Sequence, residues 1–600
     1  MSDANPSAAK SPSKPLASAQ PFRLRLWPAV IVIFLLLAAM YVPPLLKLDN
    51  PILPFMGLIM GPLIAAPLLA IWWIFFSRVS WLEGFGGLAF AIICGVATYF
   101  LCDKSMAIAL QIWALPWAMI ICVSWLMLSF FMPWSVRRLG LLIALVSTCA
   151  VFTLLRFEGA TSEFKSKISY RWESTAEQKY VAALNAKPKT ELVAAEVPKL
   201  VASDEDWTAF RGAKGLSIYD GPPISESWAP NPPKQLWKRP IGPGWGSFVV
   251  VGNYLITQEQ RDDKEVVSAF RVDDGEPIWE FVDKARFEES IAGAGPRSTP
   301  LFKDGKLYVV GAKGNLHCLE AATGKKIWGT SIVAKKDVAD PIWGYATSPI
   351  LVGNVVITLP GTPNESAVTA FDAETGKPLW ATGEGKHSYT SPELATICGV
   401  PQVVAFTSAG VMGIVPESGK VLWMHKWPTD QYARCCQPYV DGDTILVSTW
   451  GDVGARKIKI SKNGDKWNSE IVWEERKFNP YFNDMVVVDG NAYGYDDKLF
   501  CSVDLSTGKF NWTGGRYGGG QVLLLEKQKR LLVLTEQGEV ALLEVNPTKR
   551  VELTRFKAID GKTWNHPVVA HGKLFVRNGE EMACFDVSVP KETEAKAESR

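Results

Sequence analysis

Apolar and polar positions divide the 600-residue chain into two regimes. From Trp27 to Leu155 the residues are almost continuously apolar, broken by short links that carry Lys47, Arg78, Asp103 and Arg137. A helix crossing a bilayer needs about 20 consecutive apolar residues, because hydrocarbon offers its backbone groups no other hydrogen-bond partner. Five runs predict such helices: Trp27 to Leu46, Ile52 to Phe76, Phe85 to Leu101, Ala107 to Met132 and Leu139 to Leu155. After Arg156 the pattern changes. "SEFKSKISYRWESTAEQKYVAAL" has helical spacing and predicts a stalk helix, and "NAKPKTELVAAEVPKLVASDEDW" loosens into a tether. Beyond it, short β-branched runs alternate with turns rich in Gly, Asp and Asn, which is the pattern of hairpins.

Those hairpins repeat. "VSAFRVDDGEPIW" (267–279), "LHCLEAATGKKIW" (316–328), "VTAFDAETGKPLW" (368–380), "VMGIVPESGKVLW" (411–423) and "FCSVDLSTGKFNW" (500–512) share a small residue, a Gly-containing turn and a terminal Trp. Two eroded copies, "VALLEVNPTKRVEL" and "MACFDVS", follow at 540–553 and 582–588, and a degenerate one ends near Trp473. Each is preceded by another strand pair, such as "RSTPLFKDGKLYVVGAKG" or "CQPYVDGDTILVSTWG". Two hairpins make a four-stranded antiparallel blade, and a period of about 40 to 50 residues is the mark of a propeller. The count gives eight blades, with "KQLWKRPIG" (234–242) supplying the missing outer strand of the last one and so closing the ring. The Gly serves a turn with positive φ, and the Trp offers a large apolar face to the next sheet. Cys318 and Cys584 fall at the small position and read as packed residues rather than ligands.

The spacing A-x-D-x-x-T-G-K-x-x-W resembles the tryptophan-docking repeat of the quinoprotein, or PQQ-repeat, β-propellers. That family includes PQQ-dependent alcohol and glucose dehydrogenases and a non-enzymatic outer-membrane assembly lipoprotein. The fold class expected is therefore multidomain: an α-helical membrane domain of five transmembrane helices and an all-β, eight-bladed β-propeller. The expected division is a disordered cytoplasmic tail at 1–25, the membrane domain at 26–156, stalk helix and linker at 157–205, propeller at 206–590 and a disordered tail at 591–600.

Charge adds orientation. Lys10, Lys14, Arg23, Arg25, Arg78, Arg137 and Arg138 fall on one side of the spans, against Lys47, Lys104 and Arg156 on the other. The more basic side is cytoplasmic, so an odd number of spans places the propeller in the periplasm of a bacterial inner membrane. No small-residue cleavage site closes the first run, which is read as a retained helix. A net charge of +2 with no basic stripe gives no footing for nucleic acid. The absence of any His before His317 rules out a bis-histidine haem in the spans, and no CxxCH is present for a c-type haem.

For function the residues leave two readings open. Five spans before a propeller is similar to the layout of membrane-bound quinoprotein glucose dehydrogenase; "DEDWTAFRG" (204–212) is similar to the family's opening segment, and "RCCQPY" (434–439) holds adjacent cysteines like the vicinal disulfide of some alcohol dehydrogenases. The resemblance thus implies PQQ with calcium, and oxidation of an alcohol or sugar with electrons passed to a quinone. Against it, no segment matches the one that supplies the dehydrogenases' catalytic aspartate; Asp452 in "STWGDVG" stands in a different context. The reading adopted is a ligand- or protein-binding scaffold of the cell envelope, with the bilayer, envelope proteins or a small planar ligand as partners and no assigned metal. Candidate binding residues are those preceding each innermost strand: Arg297, Tyr345, His387, Tyr389, Arg434, Cys435, Cys436, Asn479, Tyr481, Asn483, Trp564, Asn565 and His566. Aromatics mixed with Arg, His and Asn suit a planar anionic ligand or a peptide.

Overall fold

The computed structural model describes residues 24–45, 52–163, 165–186, 200–229, 231–333, 339–361, 366–386, 388–429, 434–451 and 453–590. The expectations for the two terminal tails, the tether, His387 and Asp452 fall mainly or wholly outside them. The chain forms two compact units, one of residues 1–157 and 168–171, the other of residues 158–167 and 172–600.

The first unit is helical. Among the described residues, four helical segments are long and apolar enough to cross a membrane: Met56–Phe76, Trp81–Leu101, Lys104–Leu128 and Trp134–Thr153. These account for four of the five expected runs. The first helix, Trp27–Leu45, has a shorter apolar stretch, Trp27–Pro43, which ends at a pair of prolines. Two other starts move outward from their expected positions. Ser80 caps the helix that begins at Trp81, accepting the Glu83 N–H, and Pro133 precedes the one that begins at Trp134. Arg137 therefore lies in a helical first turn, buried, with its guanidinium donating to Leu126 O at 2.8 Å. The first helix runs against the second: Trp72 Nε1 donates to Arg25 O at 2.8 Å, and the Arg25 N–H to Ser77 O at 3.3 Å. The region of helical spacing after Arg156 divides, because Leu155–Ala160 and Ser166–Tyr170 pair as a two-stranded ribbon and only Ala176–Ala186 is helical. Exposure along Ser166–Tyr170 follows no strict alternation, and it is the strand pairing that sets the extended form.

The second unit is an eight-bladed propeller. Its blades occupy residues 249–283, 301–331, 350–382, 393–426, 439–475, 486–516, 521–557 and 568–586, the last completed by Lys234–Pro240 as its outer strand. That strand pairs across residues 581–586, so the earliest and latest parts of the propeller sequence share one sheet and the ring has no open junction. The small position of the repeat lies directly across the hairpin from the tryptophan: Ala269 opposite Trp279, Cys318 opposite Trp328, Ala370 opposite Trp380, Cys584 opposite Trp237.

Each tryptophan then docks on the following blade. Trp328 donates its Nε1 to Ala373 O at 2.9 Å, and a Cβ on Gly376 would stand 2.4 Å from its ring. Trp279 does the same with Ala321 O and Gly324, Trp380 with Pro416 O and Gly419, Trp473 with Leu505 O and Gly508. Trp237 uses Val272 O and Gly275, which closes blade eight onto blade one. The fourth blade departs from the rule. Its Trp423 turns back to Gln402 Oε1 at 2.6 Å, and the facing hairpin of blade five, Gly454–Asn463 and Lys466–Glu475, has no matching turn.

Candidate functional site

The innermost strands begin from a ring of hydrogen bonds that circles the channel. On six successive blades a side-chain oxygen receives the backbone N–H of the equivalent residue one blade earlier. Ser247 N–H donates to Thr299, Thr299 N–H to Ser348, Ser348 N–H to Ser391, Ser391 N–H to Gln437, Gln437 N–H to Asp484 and Asp484 N–H to Gln521, at 2.7 to 3.2 Å. The Gln521 amide donates to Trp564 O and the Ser247 hydroxyl to His566 O, which closes the circle. Backbone groups buried here would otherwise have no partner, which explains the polar side chain at this position in blade after blade. Sequence reasoning missed the ring, although its signal is visible in the polar residue before proline in "STP", "TSP", "TSP" and "CQP".

One member is charged. Asp484 is almost fully buried, with Arg211 Nε at 3.6 Å and His566 Nε2 at 3.3 Å. Burial opposes its ionisation, yet Arg211 and His566 hold the carboxyl below the usual range. Arg211 comes from the stretch "DEDWTAFRG", which lies along the inner strands: Trp207 pairs with Val250, Thr208 O accepts the Phe302 N–H, and Arg211 donates to Met485 O. Phe210 from the same stretch meets the His566 ring edge-on at 5.0 Å.

Above this ring lies a cavity of about 230 Å³. Its walls are aromatic. Trp245, Trp564, Phe482, Tyr481 and Trp450 form a continuous chain of rings with centroids 4.6 to 5.1 Å apart, and Trp343 and Tyr389 form a second pair at 5.3 Å. Such spacing is that of favourable aromatic contacts. Arg297 and Glu289 also face the cavity, 3.4 Å apart, with the Arg297 guanidinium donating to Gly293 O and Gly295 O. Burial pulls that guanidinium down to about 10 against the attraction of Glu289.

Of the residues expected at the mouth, Arg297, Tyr389, Cys435, Tyr481, Trp564 and His566 line the cavity. The other described ones lie elsewhere. Tyr345 packs with Trp328 and Val356 between blades two and three, and Arg434 is buried over Phe406 and Trp427 with its guanidinium on Trp427 O. Cys436 is in the core with Phe478 and Met485, while Asn479, Asn483 and Asn565 donate to the backbone carbonyls of Arg476, Gly520 and Gly246. The adjacent cysteines thus part ahead of the strand that begins at Tyr439, Cys435 to the cavity and Cys436 to the core. Burial, then the Asp484 charge, push the Cys435 thiol up to about 12, so it stands as a neutral thiol.

PQQ with calcium requires cationic donors for three carboxylates and a cluster of oxygen ligands for the metal. Here Arg297 is engaged by Glu289 and two carbonyls, and Asp484 by a backbone N–H, Arg211 and His566. Among the described residues no group of three His, Cys, Asp or Glu side chains is placed to hold a metal ion. The residues present do not fit that group in this arrangement.

The blade repeat, its Trp–Gly docking and the closed ring find a match among known proteins. A family model described as outer membrane protein assembly factor BamB covers residues 263–514. The second unit is a PQQ-repeat β-propeller. Curated relatives of this PQQ-repeat propeller include the quinoprotein alcohol dehydrogenase PedH of Pseudomonas putida, 26% identical over 42% of this chain and 41% of its own length. Outer membrane protein assembly factor BamB of Burkholderia pseudomallei is 26% identical over 37% of this chain and 53% of its own. The chain thus spans about half or less of the length of these relatives. Among solved structures, the quinohemoprotein alcohol dehydrogenase of Comamonas testosteroni matches with a TM-score of 0.47 at 13% identity, over 70% of this chain and 85% of that one.

Proposed function

We propose that the chain is a membrane-anchored binding scaffold of the bacterial cell envelope, whose PQQ-repeat propeller receives a small planar ligand, or an aromatic side chain of an envelope protein, in its channel mouth. The observation that carries this reading is the division of labour around the cavity. Its charged groups are paired with one another, and its walls are aromatic surfaces left to stack. Stacking recognises flat molecules without requiring charge transfer to or from them.

The anchor supports a periplasmic propeller. The first helix, 19 residues, reaches about 28 Å at 1.5 Å per residue, close to the roughly 30 Å of a bilayer core. Its start lies beside Ser77, so a full crossing puts the basic tail on the side of Arg78. Three further crossings separate Arg78 from Arg156 and carry the propeller to the opposite, less basic side.

The alternative is a PQQ-dependent dehydrogenase, favoured by the named activity of PedH and by Cys435 beside the aromatic wall. The two readings part in one experiment. Purified chain mixed with PQQ and Ca²⁺ is expected to give the absorption spectrum of the free quinone and to leave a redox dye coloured with a panel of alcohols and sugars. Dye bleaching that depends on PQQ makes the protein a dehydrogenase and removes the scaffold reading.

A further inference from the structure

The segment at residues 158–163 lies across the rim of the propeller and is fastened at two points. The Lys562 ammonium has three protons and gives each to a carbonyl: Ile291 O at 2.8 Å, Ala160 O at 3.1 Å and Ala292 O at 3.4 Å. It stands at the same time over the rings of Trp564, at 4.3 Å, and Trp245, at 5.1 Å, both of them cavity walls. At the second point the Glu536 carboxylate accepts the Ser162 N–H at 2.6 Å and the Ser162 hydroxyl at 2.7 Å, and its Oε1 also takes the Trp564 Nε1 proton at 2.7 Å.

Between these points the segment touches residues that line the cavity. The Ala160 N–H donates to Ile291 O at 3.2 Å, and Ile291, Ala292 and Glu289 line the cavity from the stretch 288–294. Gly159 has a φ of +107°, and a Cβ there would fall 2.7 Å from Ile291 O and 3.2 Å from the Lys562 ammonium. The close approach therefore depends on glycine. Lys562 is half-buried, and desolvation of its ammonium draws it down to about 8 against the attraction of Glu289 and Glu536; at neutral pH it keeps all three donors.

We propose that residues 158–163 and 288–294 form one lid over the channel-mouth cavity, latched by Lys562 and Glu536, so that a ligand enters only when both stretches lift together. Both latches touch Trp564, so a molecule that stacks on that ring competes with the contacts that hold the lid down. The lid is a property of the closed protein and its test needs no ligand, so it stands or falls separately from the binding reading on which its use rests.

The test follows labelling of Cys435 by N-ethylmaleimide in the detergent-solubilised full chain, peptide by peptide, together with hydrogen exchange. In the unaltered protein Cys435 should react slowly. In Lys562→Met, which keeps an apolar stem over the tryptophans, the rate should rise at least tenfold, and the amides of Ala160 and Gly295 should gain exchange by a common factor. Gly159→Ala, which alters no cavity wall, should do the same. Cys318 and Cys584, buried in blade cores, report intact folding by staying unlabelled; if Lys562→Met labels them, Gly159→Ala decides. Fast labelling of Cys435 in the unaltered protein overturns the lid. So does an unchanged rate in a folded variant, and so does exchange that rises at Ala160 while Gly295 stays protected.

Discussion

Two glycines of the third blade separate the cost of a turn from the cost of blade docking. Gly376 has φ +70° and faces Trp328 of the preceding blade; a Cβ there would meet ring atoms at 2.4, 2.7 and 3.0 Å. Gly353 has φ +57° and open space within 4 Å. Alanine at either position suffers the left-handed penalty of roughly 1 to 2 kcal/mol, and at either it lowers the unfolded chain's entropy by the same amount. These terms cancel in the comparison. What remains at Gly376 is displacement of a buried indole, about 1 to 3 kcal/mol of overpacking, and loss of the Trp328 bond to Ala373 O, about 1 kcal/mol. Gly376→Ala should therefore unfold the propeller with about 2 to 4 kcal/mol less resistance than Gly353→Ala. Urea titration of the solubilised chain, followed by the β-sheet circular dichroism signal, measures the difference between the two propeller midpoints. Coincident midpoints refute the docking argument, because they leave the tryptophan without an energetic role at its glycine.

The same logic makes Trp380→Ala destabilising by about 3 kcal/mol or more, while Lys377→Ala, on the exposed turn, stays within about 0.5 kcal/mol; equal melting curves would remove Trp380 from the docking set. Glu265 is buried and its carboxyl is pushed up to about 7, chiefly by desolvation. A raised acid keeps its proton in the folded state, so its contribution is whole below about pH 4.5 and is lost as pH climbs to 7, a change of about 3 kcal/mol. Glu265→Gln retains an acceptor for the Ala312 N–H and should flatten that decline, and an unaltered pH slope in the variant rejects it. A reporter active only outside the cytoplasm should work when fused after Arg156 and fail after Arg78, since three helices lie between them; activity at both sites contradicts the crossing scheme. Alkylation without reductant should modify Cys435 and Cys436 as two thiols in the unfolded chain, and recovery of a bridged pair by mass spectrometry would restore the strongest local argument for a quinone cofactor.

The propeller was legible because its repeat states a packing rule in three residues. A small residue sits across the hairpin from a tryptophan, and a glycine on the next blade receives the ring, so Ala370, Trp380 and Gly419 identify both a hairpin and its neighbour before any contact is seen. Where the rule lapses, as at Trp423, the sequence still shows a blade but no longer shows what the ring touches. The cavity was only half legible for a different reason. Period-two alternation expects one of two adjacent residues to face the channel, and it is silent on residues such as Lys562 and Glu289 that reach the mouth from outside the blade strands. Alternation also concealed Asp484. A carboxylate beside the centre of a propeller reads as a surface residue by composition, and only its place in the series Thr299, Ser348, Ser391, Gln437 shows that the ring requires an acceptor there. That a charged acceptor was kept where serine would serve then has a physical consequence. Asp484 brings Arg211 and His566 to the cavity floor, two groups that a neutral ring would leave without their carboxylate partner. Replacing the carboxylate by the isosteric amide would preserve the ring while releasing both.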